Sequence, residues 1–130
     1  MRIDQIFREK RPTVSLEFFP PKTEKGAYDL TRSLNELAPL EPSYVTVTYG
    51  AGGSTRSLTL DLVLRLHHDY KLTVASHLTC VGASQEQIEE LLNRLNSNGV
   101  ENLMVLRGDP PKGESHFTPH DGGFTHAGEL

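Results

Sequence analysis

Four short runs rich in Val, Thr, Phe and Tyr recur about every 30 residues along this chain: Thr13–Phe19, Tyr44–Tyr49, Leu72–Thr79 and Asn102–Gly108. Their length and their Pro or Gly boundaries predict strands. Three of the four continue into a helical pattern. Ala27, Leu30, Leu34 and Leu37 form one apolar stripe, Leu58, Leu62 and Leu66 a second, and Ile88, Leu91, Leu92 and Leu95 a third. Stop and start signals agree. Ser84 and Gln87 form a capping-box pair, Ser54 precedes the second helix, and Pro39 and Gly99 end the first and third. Ile3, Ile6 and Phe7 share a face, which predicts a short leading helix over Ile3–Arg8, within residues 1–12.

Strand–helix–strand repetition at this spacing means right-handed crossovers and a parallel sheet. Two architectures compete: an open doubly wound sheet and a (β/α)8 barrel. No G-x-G-x-x-G follows the first strand, which weakens the dinucleotide-binding open sheet. A barrel typically takes about 250 residues. A chain of 130 residues therefore holds about the first four βα units, read as one domain over 1–130. Residues 110–130 read as a Gly/Pro-rich loop, with Thr125–Leu130 as the start of a fourth helix.

Composition narrows the function class. With 13 basic and 17 acidic side chains the formal net charge is −4, with no block of like charge, which argues against a nucleic-acid partner. No apolar run approaches the ~18 residues of a membrane span. Charges run through Met1–Arg11, so it is no secretory signal. The single cysteine, Cys80, rules out an internal disulfide and a thiolate zinc cluster. A reducing, cytoplasmic setting is the default expectation.

The informative residues close the strands. Glu17, Thr48, His77 and Arg107 follow one another at intervals of 31, 29 and 30 residues. This spacing predicts one polar side chain at a common height in each unit. Alternation sets Ser15, Glu17 and Phe19 against Val14, Leu16 and Phe18. It sets Thr46 and Thr48 against Val45 and Val47, and Ala75, His77 and Thr79 against Val74, Ser76 and Leu78. In the last strand it sets Val105, Arg107 and Asp109 against Met104 and Leu106. The apolar face suits helices, and the polar face points to a site beyond the strands' carboxyl ends, where parallel α/β folds bind ligands.

Each residue also has a plainer reading. Any one strand-end polar group is as often a solvated loop residue. Glu17, among Leu16, Phe18, Phe19, Pro20 and Pro21, is expected to be partly desolvated, with a raised pKa suited to a general acid. Its structural alternative is an ion pair with Arg107. His77 reads as a hydrogen-bond donor to a ligand or as a core histidine bonded to a carbonyl. Arg107-Gly108-Asp109-Pro110-Pro111 reads as a sharp turn that lets a ligand approach the backbone, or as an ordinary Pro-terminated turn. The Gly50-Ala51-Gly52-Gly53-Ser54 loop leads into a helix N-terminus, which suits an anion. His116, His120, Asp121 and His126 fit no zinc spacing, so no metal is expected. Cys80 reads as a packing residue, and His67-His68 as a helix end.

Ser15-Leu16-Glu17-Phe18-Phe19-Pro20-Pro21-Lys22-Thr23 resembles the opening motif of the methylenetetrahydrofolate reductase family. Val45-Thr46-Val47-Thr48-Tyr49-Gly50-Ala51, His77-Leu78-Thr79-Cys80 and Leu106-Arg107-Gly108-Asp109-Pro110 resemble its later motifs, in the family's order. The resemblance runs from about Gln5 to Leu130. It implies a (β/α)8 TIM-type barrel holding FAD at the carboxyl ends of its strands. It further implies reduction of 5,10-methylenetetrahydrofolate to 5-methyltetrahydrofolate with NADH or NADPH, in one-carbon metabolism and methionine biosynthesis. By the same resemblance, Glu17 is the acid that opens the folate ring. Asp109 is the carboxylate near the flavin pyrimidine edge, stabilising the cationic iminium. Both also contact the folate. Thr48, Tyr49, Ala51, His77, Arg107, Gly108, Asp109 and Ala127 match flavin-pocket positions, with Thr48 also near the nicotinamide.

Four strands are half of that barrel, and two open sheet edges invite self-association or a partner carrying the other half. Two further readings therefore stand beside the reductase. One is a non-catalytic half-barrel that binds itself or another chain. The other is a different barrel enzyme, such as a lyase, using Glu17 and His77 without flavin.

Overall fold

A computed structural model describes residues 1–50, 55–80, 82–110, 113, 115–116 and 118–130. The elements run α1 (Ile3–Glu9), β1 (Ser15–Phe18), α2 (Glu24–Leu37), β2 (Tyr44–Val47), α3 (Arg56–His68), β3 (Val74–Thr79), α4 (Gln85–Ser97) and β4 (Asn102–Leu106). Short 3₁₀ turns follow α2 at Ala38–Leu40 and lie near the end at Ala127–Glu129. Thr125–Leu130, expected to begin a helix, holds the second of these turns.

The four strands form one parallel sheet in the order β1-β2-β3-β4. Each neighbour in space is the next strand in sequence, as in consecutive right-handed crossovers. This is the α/β architecture of a partial (β/α)8 barrel: parallel strands in sequence order, with α2, α3 and α4 packed on one side.

The helix side carries the core. Phe18, Val45, Val47, Val74 and Leu78 pack against Leu34 of α2, Leu60, Leu62, Val63 and Leu66 of α3, and Ile88, Leu91 and Leu95 of α4. In α2 only Leu34 of the expected stripe is fully buried. In α3 the buried set is Thr59, Leu60, Leu62, Val63 and Leu66, while Leu58 stays exposed. The expected stripe of α3 is thus rotated: the i, i+3, i+4, i+7 set begins at Thr59, whose hydroxyl has a use inside.

Local signals place the helix starts. The Thr23 hydroxyl accepts from the Gly26 amide at 3.1 Å and caps α2. At α4 the Ser84 hydroxyl accepts from the Gln87 amide, and the Gln87 side chain accepts from the Ser84 amide. Ser54, expected to precede α3, lies outside the described residues.

At the amino ends of the strands, α1 lies across the inner side of the sheet. Asn102 holds it by accepting from the Ile3 amide at 2.9 Å and donating to the Met1 carbonyl at 3.0 Å. Phe7 meets Tyr44 edge to face, with ring centroids 5.9 Å apart. A hollow of about 350 Å³ remains between α1 and the residues Thr46, Ala75 and Met104. At the other end, the chain after β4 returns to the start of α4, where the Gln85 amide donates to the Gly122 carbonyl at 3.0 Å. Gly123 is held closely there, because a Cβ on it would stand 2.6 Å from the Ala83 carbonyl oxygen.

Candidate functional site

Register decides which side chains meet. Ser15, Glu17 and the inward row of β1 align with Tyr44 and Thr46 of β2. Thr46 aligns with Ala75 of β3, and Ala75 with Asn102 of β4. Glu17 therefore lies level with Thr46, two residues before Thr48, and His77 lies level with Met104, three residues before Arg107. The common height expected from the 30-residue spacing holds for Thr48 and His77, which continue the β2–β3 register, but Glu17 lies two residues below that level and Arg107 three above it.

The face assignment in β4 also changes. Met104 and Leu106 pair with His77 and Thr79 and so occupy the inner face. Leu103 and Val105 pair with Ser76 and Leu78 on the helix side. Arg107, one residue past the strand, continues the parity of Leu103 and Val105. The cause is plain in the sequence: Leu103-Met104-Val105-Leu106 is apolar at every position, so alternation could not tell inside from outside.

Three inward residues from three adjacent strands converge. Thr46 Oγ1 donates to Glu17 Oε2 at 3.3 Å. The same carboxylate oxygen stands 3.4 Å from His77 Nε2, although the ring nitrogen is not aligned with it for a hydrogen bond. Neighbouring strands lie about 4.8 Å apart, so β1 and β3 are roughly 10 Å apart. Glu17 spans that gap because the residues beside it are small: Thr46, then Ala75. His77 and Thr46 are buried. Glu17 is not, since 49 % of its side chain is open to solvent. The expected desolvation of Glu17 is thus absent. Phe18 points to the helix core, and Phe19 is 69 % exposed, so the apolar neighbours in sequence are not neighbours around the carboxylate.

Burial pushes the His77 imidazole below its ordinary range, and the nearby Glu17 charge opposes that in part. The imidazole therefore favours its neutral form, with one ring nitrogen a donor and the other an acceptor. A half-open carboxyl group and a covered neutral imidazole thus stand side by side on the inner face.

The rim of β2 is braced by hydroxyls that the sequence did not single out. Thr59 Oγ1 donates to the Thr48 carbonyl at 3.0 Å. Having spent its one proton there, it accepts from Thr55 Oγ1 at 3.2 Å. Thr55 Oγ1 in turn accepts from the Gly50 amide at 2.7 Å. This relay fastens the Thr48–Gly50 turn to the first turn of α3. Tyr49 has the parity of Val47 and packs against the helix-side core, where its hydroxyl accepts from Arg56 Nε at 2.8 Å. A hollow of about 210 Å³ lies above this rim, lined by Phe19, Pro20, Lys22, Thr48, Gly50 and Thr55. Ala51 and the rest of the glycine-rich loop, residues 51–54, lie outside the described residues.

Beyond β4, Arg107, Gly108 and Asp109 leave the sheet in sequence. Gly108 has φ +88°, a conformation that suits glycine. Arg107 and Asp109 are exposed. Ala127 opens the terminal 3₁₀ turn, whose Glu129 accepts from the Thr125 and His126 amides. The Glu129 charge adds to burial in raising the Cys80 thiol. Cys80 itself is fully buried, as a packing residue should be. The structure therefore joins Glu17, Thr46 and His77 directly and sets Thr48 on the adjoining rim. It sets Tyr49 on the helix side, and Arg107, Gly108, Asp109 and Ala127 on segments beyond the strands.

A flavin ring needs hydrogen-bonding groups on a surface that backbone can approach. The inner face offers two buried side-chain atoms with no partner among the described residues, His77 Nε2 and Thr79 Oγ1. Beside them the chain turns at Gly108. These groups fit such a ring.

Comparison with known proteins agrees with the motifs. The family model for methylenetetrahydrofolate reductase matches residues 2–130. The chain is 38 % identical over 129 residues to methylenetetrahydrofolate reductase (NADH) 1 of Arabidopsis thaliana, covering 99 % of this chain and 22 % of that protein. It is 40 % identical over 120 residues to methylenetetrahydrofolate reductase (NADH) 1 of Zea mays, covering 92 % of this chain and 20 % of that protein. It is 38 % identical over 102 residues to 5,10-methylenetetrahydrofolate reductase of Pectobacterium carotovorum, covering 78 % of this chain and 34 % of that protein. The chain thus spans a fifth to a third of the length of these relatives.

Proposed function

The chain belongs to the methylenetetrahydrofolate reductase family, and from that premise we propose that its inner sheet face is the acid and flavin half of a folate-reducing site. The reaction is reduction of 5,10-methylenetetrahydrofolate to 5-methyltetrahydrofolate with electrons from NADH or NADPH, in the cytoplasm. Bound FAD would supply the hydride relay between nicotinamide and folate.

What carries this reading is the meeting of Glu17, Thr46 and His77 on one face. The folate's five-membered ring must open before its bridging carbon can accept hydride. Glu17, in its protonated form, delivers a proton to the departing ring nitrogen as the carbon–nitrogen bond breaks, leaving a cationic iminium. Thr46 fixes the direction of the carboxyl group. His77, neutral and covered, offers a hydrogen bond without placing a cation beside the iminium. Asp109 would stabilise that cation electrostatically and would hold the flavin on its pyrimidine side. Thr48, Ala51, Arg107, Gly108 and Ala127 would complete the flavin contacts, Tyr49 only through its backbone because its ring is turned to the helix side, and Thr48 would also meet the nicotinamide.

Adding FAD to the purified chain tests the reading. The expected result is a yellow protein, bleached by NADH or NADPH. A folded chain that stays colourless at saturating FAD removes flavin chemistry from it.

A second reading rests on the sheet itself. Met104 and Leu106 are 40 % and 42 % exposed on the inner face, and β1 and β4 are both edge strands. Such a surface favours association with a second copy or with a chain supplying further strands. Light scattering separates the two, since a non-catalytic half-barrel associates without taking up flavin.

A further inference from the structure

We propose that Thr79 is a further flavin contact, hydrogen-bonding the polar edge of the ring beside His77; this rests on the flavin reading above. Thr79 ends β3, two residues after His77 and on the same inner face. It is 5 % exposed, and its Oγ1 has no hydrogen-bond partner among the described residues. Orphaned hydroxyls are not the habit of this sheet. Thr46 of β2 bonds Glu17, and Ser76 of β3 bonds the His77 carbonyl. A buried hydroxyl left without a partner destabilises a fold, and a valine occupies nearly the same space. Stability alone therefore gives no reason for threonine here.

Access and chemistry both suit a ligand. Leu106, the register partner of Thr79, is 42 % exposed and can turn aside without opening a void. Arg107 and Gly108 follow Leu106 directly, so Thr79 stands between His77 and the turn assigned to the pyrimidine edge. Carbonyl acceptors and ring N–H donors alternate along that edge. A hydroxyl can serve either, being both donor and acceptor.

The test compares Thr79→Val and Thr79→Ser with the wild-type chain, by thermal melting without ligand and by titration with FAD followed through flavin fluorescence. Thr79→Val is expected to melt at or above the wild-type temperature and to bind FAD about five- to tenfold more weakly, as loss of one neutral hydrogen bond requires. Thr79→Ser is expected to restore the affinity. A lower melting temperature for ligand-free Thr79→Val gives the hydroxyl a structural role and overturns the proposal. So does unchanged FAD affinity in that variant while the wild type binds, and in that case the flavin reading stands. A wild-type chain that takes up no FAD sinks both.

Discussion

Glu17 Oε2 lies 3.4 Å from His77 Nε2 although a whole strand, β2, runs between their backbones. Thr46, on that intervening strand, donates to the same oxygen. The Glu17 carboxylate is thus bonded to one neighbour and close to a second, while half of its side chain remains open to solvent.

The covered imidazole makes stability depend on pH. Burial lowers the His77 pKa from its ordinary 6.5. As pH falls through that value, the unfolded chain takes up the proton first, so stability is full above about 6.5 and is lost as pH drops toward the folded-state pKa. The melting temperature of the wild type should therefore fall between about pH 7.5 and pH 5.5 more steeply than that of His77→Gln. Parallel curves for the two proteins would show that His77 is not held neutral by the fold.

The hydroxyl relay beneath the rim has a measurable worth. Thr59→Val keeps the volume and removes the donor to the Thr48 carbonyl, and it leaves Thr55 without its acceptor. Chemical denaturation should show a loss of about 1–3 kcal/mol, the usual effect of unsatisfying buried polar groups. The same change should loosen the Thr48–Gly50 rim, seen as faster amide exchange at Gly50. A variant as stable as the wild type, with Gly50 equally protected, would remove the relay from the description of the rim.

Much of this fold was legible because the apolar positions of β2 and of the helices α3 and α4 recur at the strand and helix periods. Val45 and Val47 against Thr46 and Thr48 left no doubt about which side of β2 met the helices. The capping pair Ser84–Gln87 fixed the start of α4 by local chemistry alone. The site was only partly legible. Equal spacing in sequence is not equal height in a staggered parallel ladder, so Glu17 met Thr46 and His77 rather than a level row ending at Arg107. The unbroken apolar run of β4 carried no parity. The apolar company of Glu17 was a property of the chain, not of the space around the carboxylate. The one trace of the Thr55–Thr59 relay in the sequence was two threonines four residues apart at a helix start.

Cys80 should behave as an inert thiol. It is fully buried at the end of β3, and burial together with the Glu129 charge raises its pKa. Reaction with a thiol-specific disulfide reagent near neutral pH should be slower than in the unfolded chain by about 100-fold or more. Denaturant should release one reactive thiol per chain. Rapid labelling of the native chain would place Cys80 at the surface and contradict the packing of this corner.

The two half-reactions of Glu17→Gln give the most direct test of how the site works. Glutamine keeps the shape and the hydrogen bond from Thr46 but has no proton to deliver. Reduction of bound flavin by NADH or NADPH is expected to stay within about twofold of wild type, while reduction of 5,10-methylenetetrahydrofolate falls by about 10²–10⁴-fold, the usual span for loss of a general acid. Equal loss of both half-reactions, or folate reduction at the wild-type rate, would contradict the role given to Glu17.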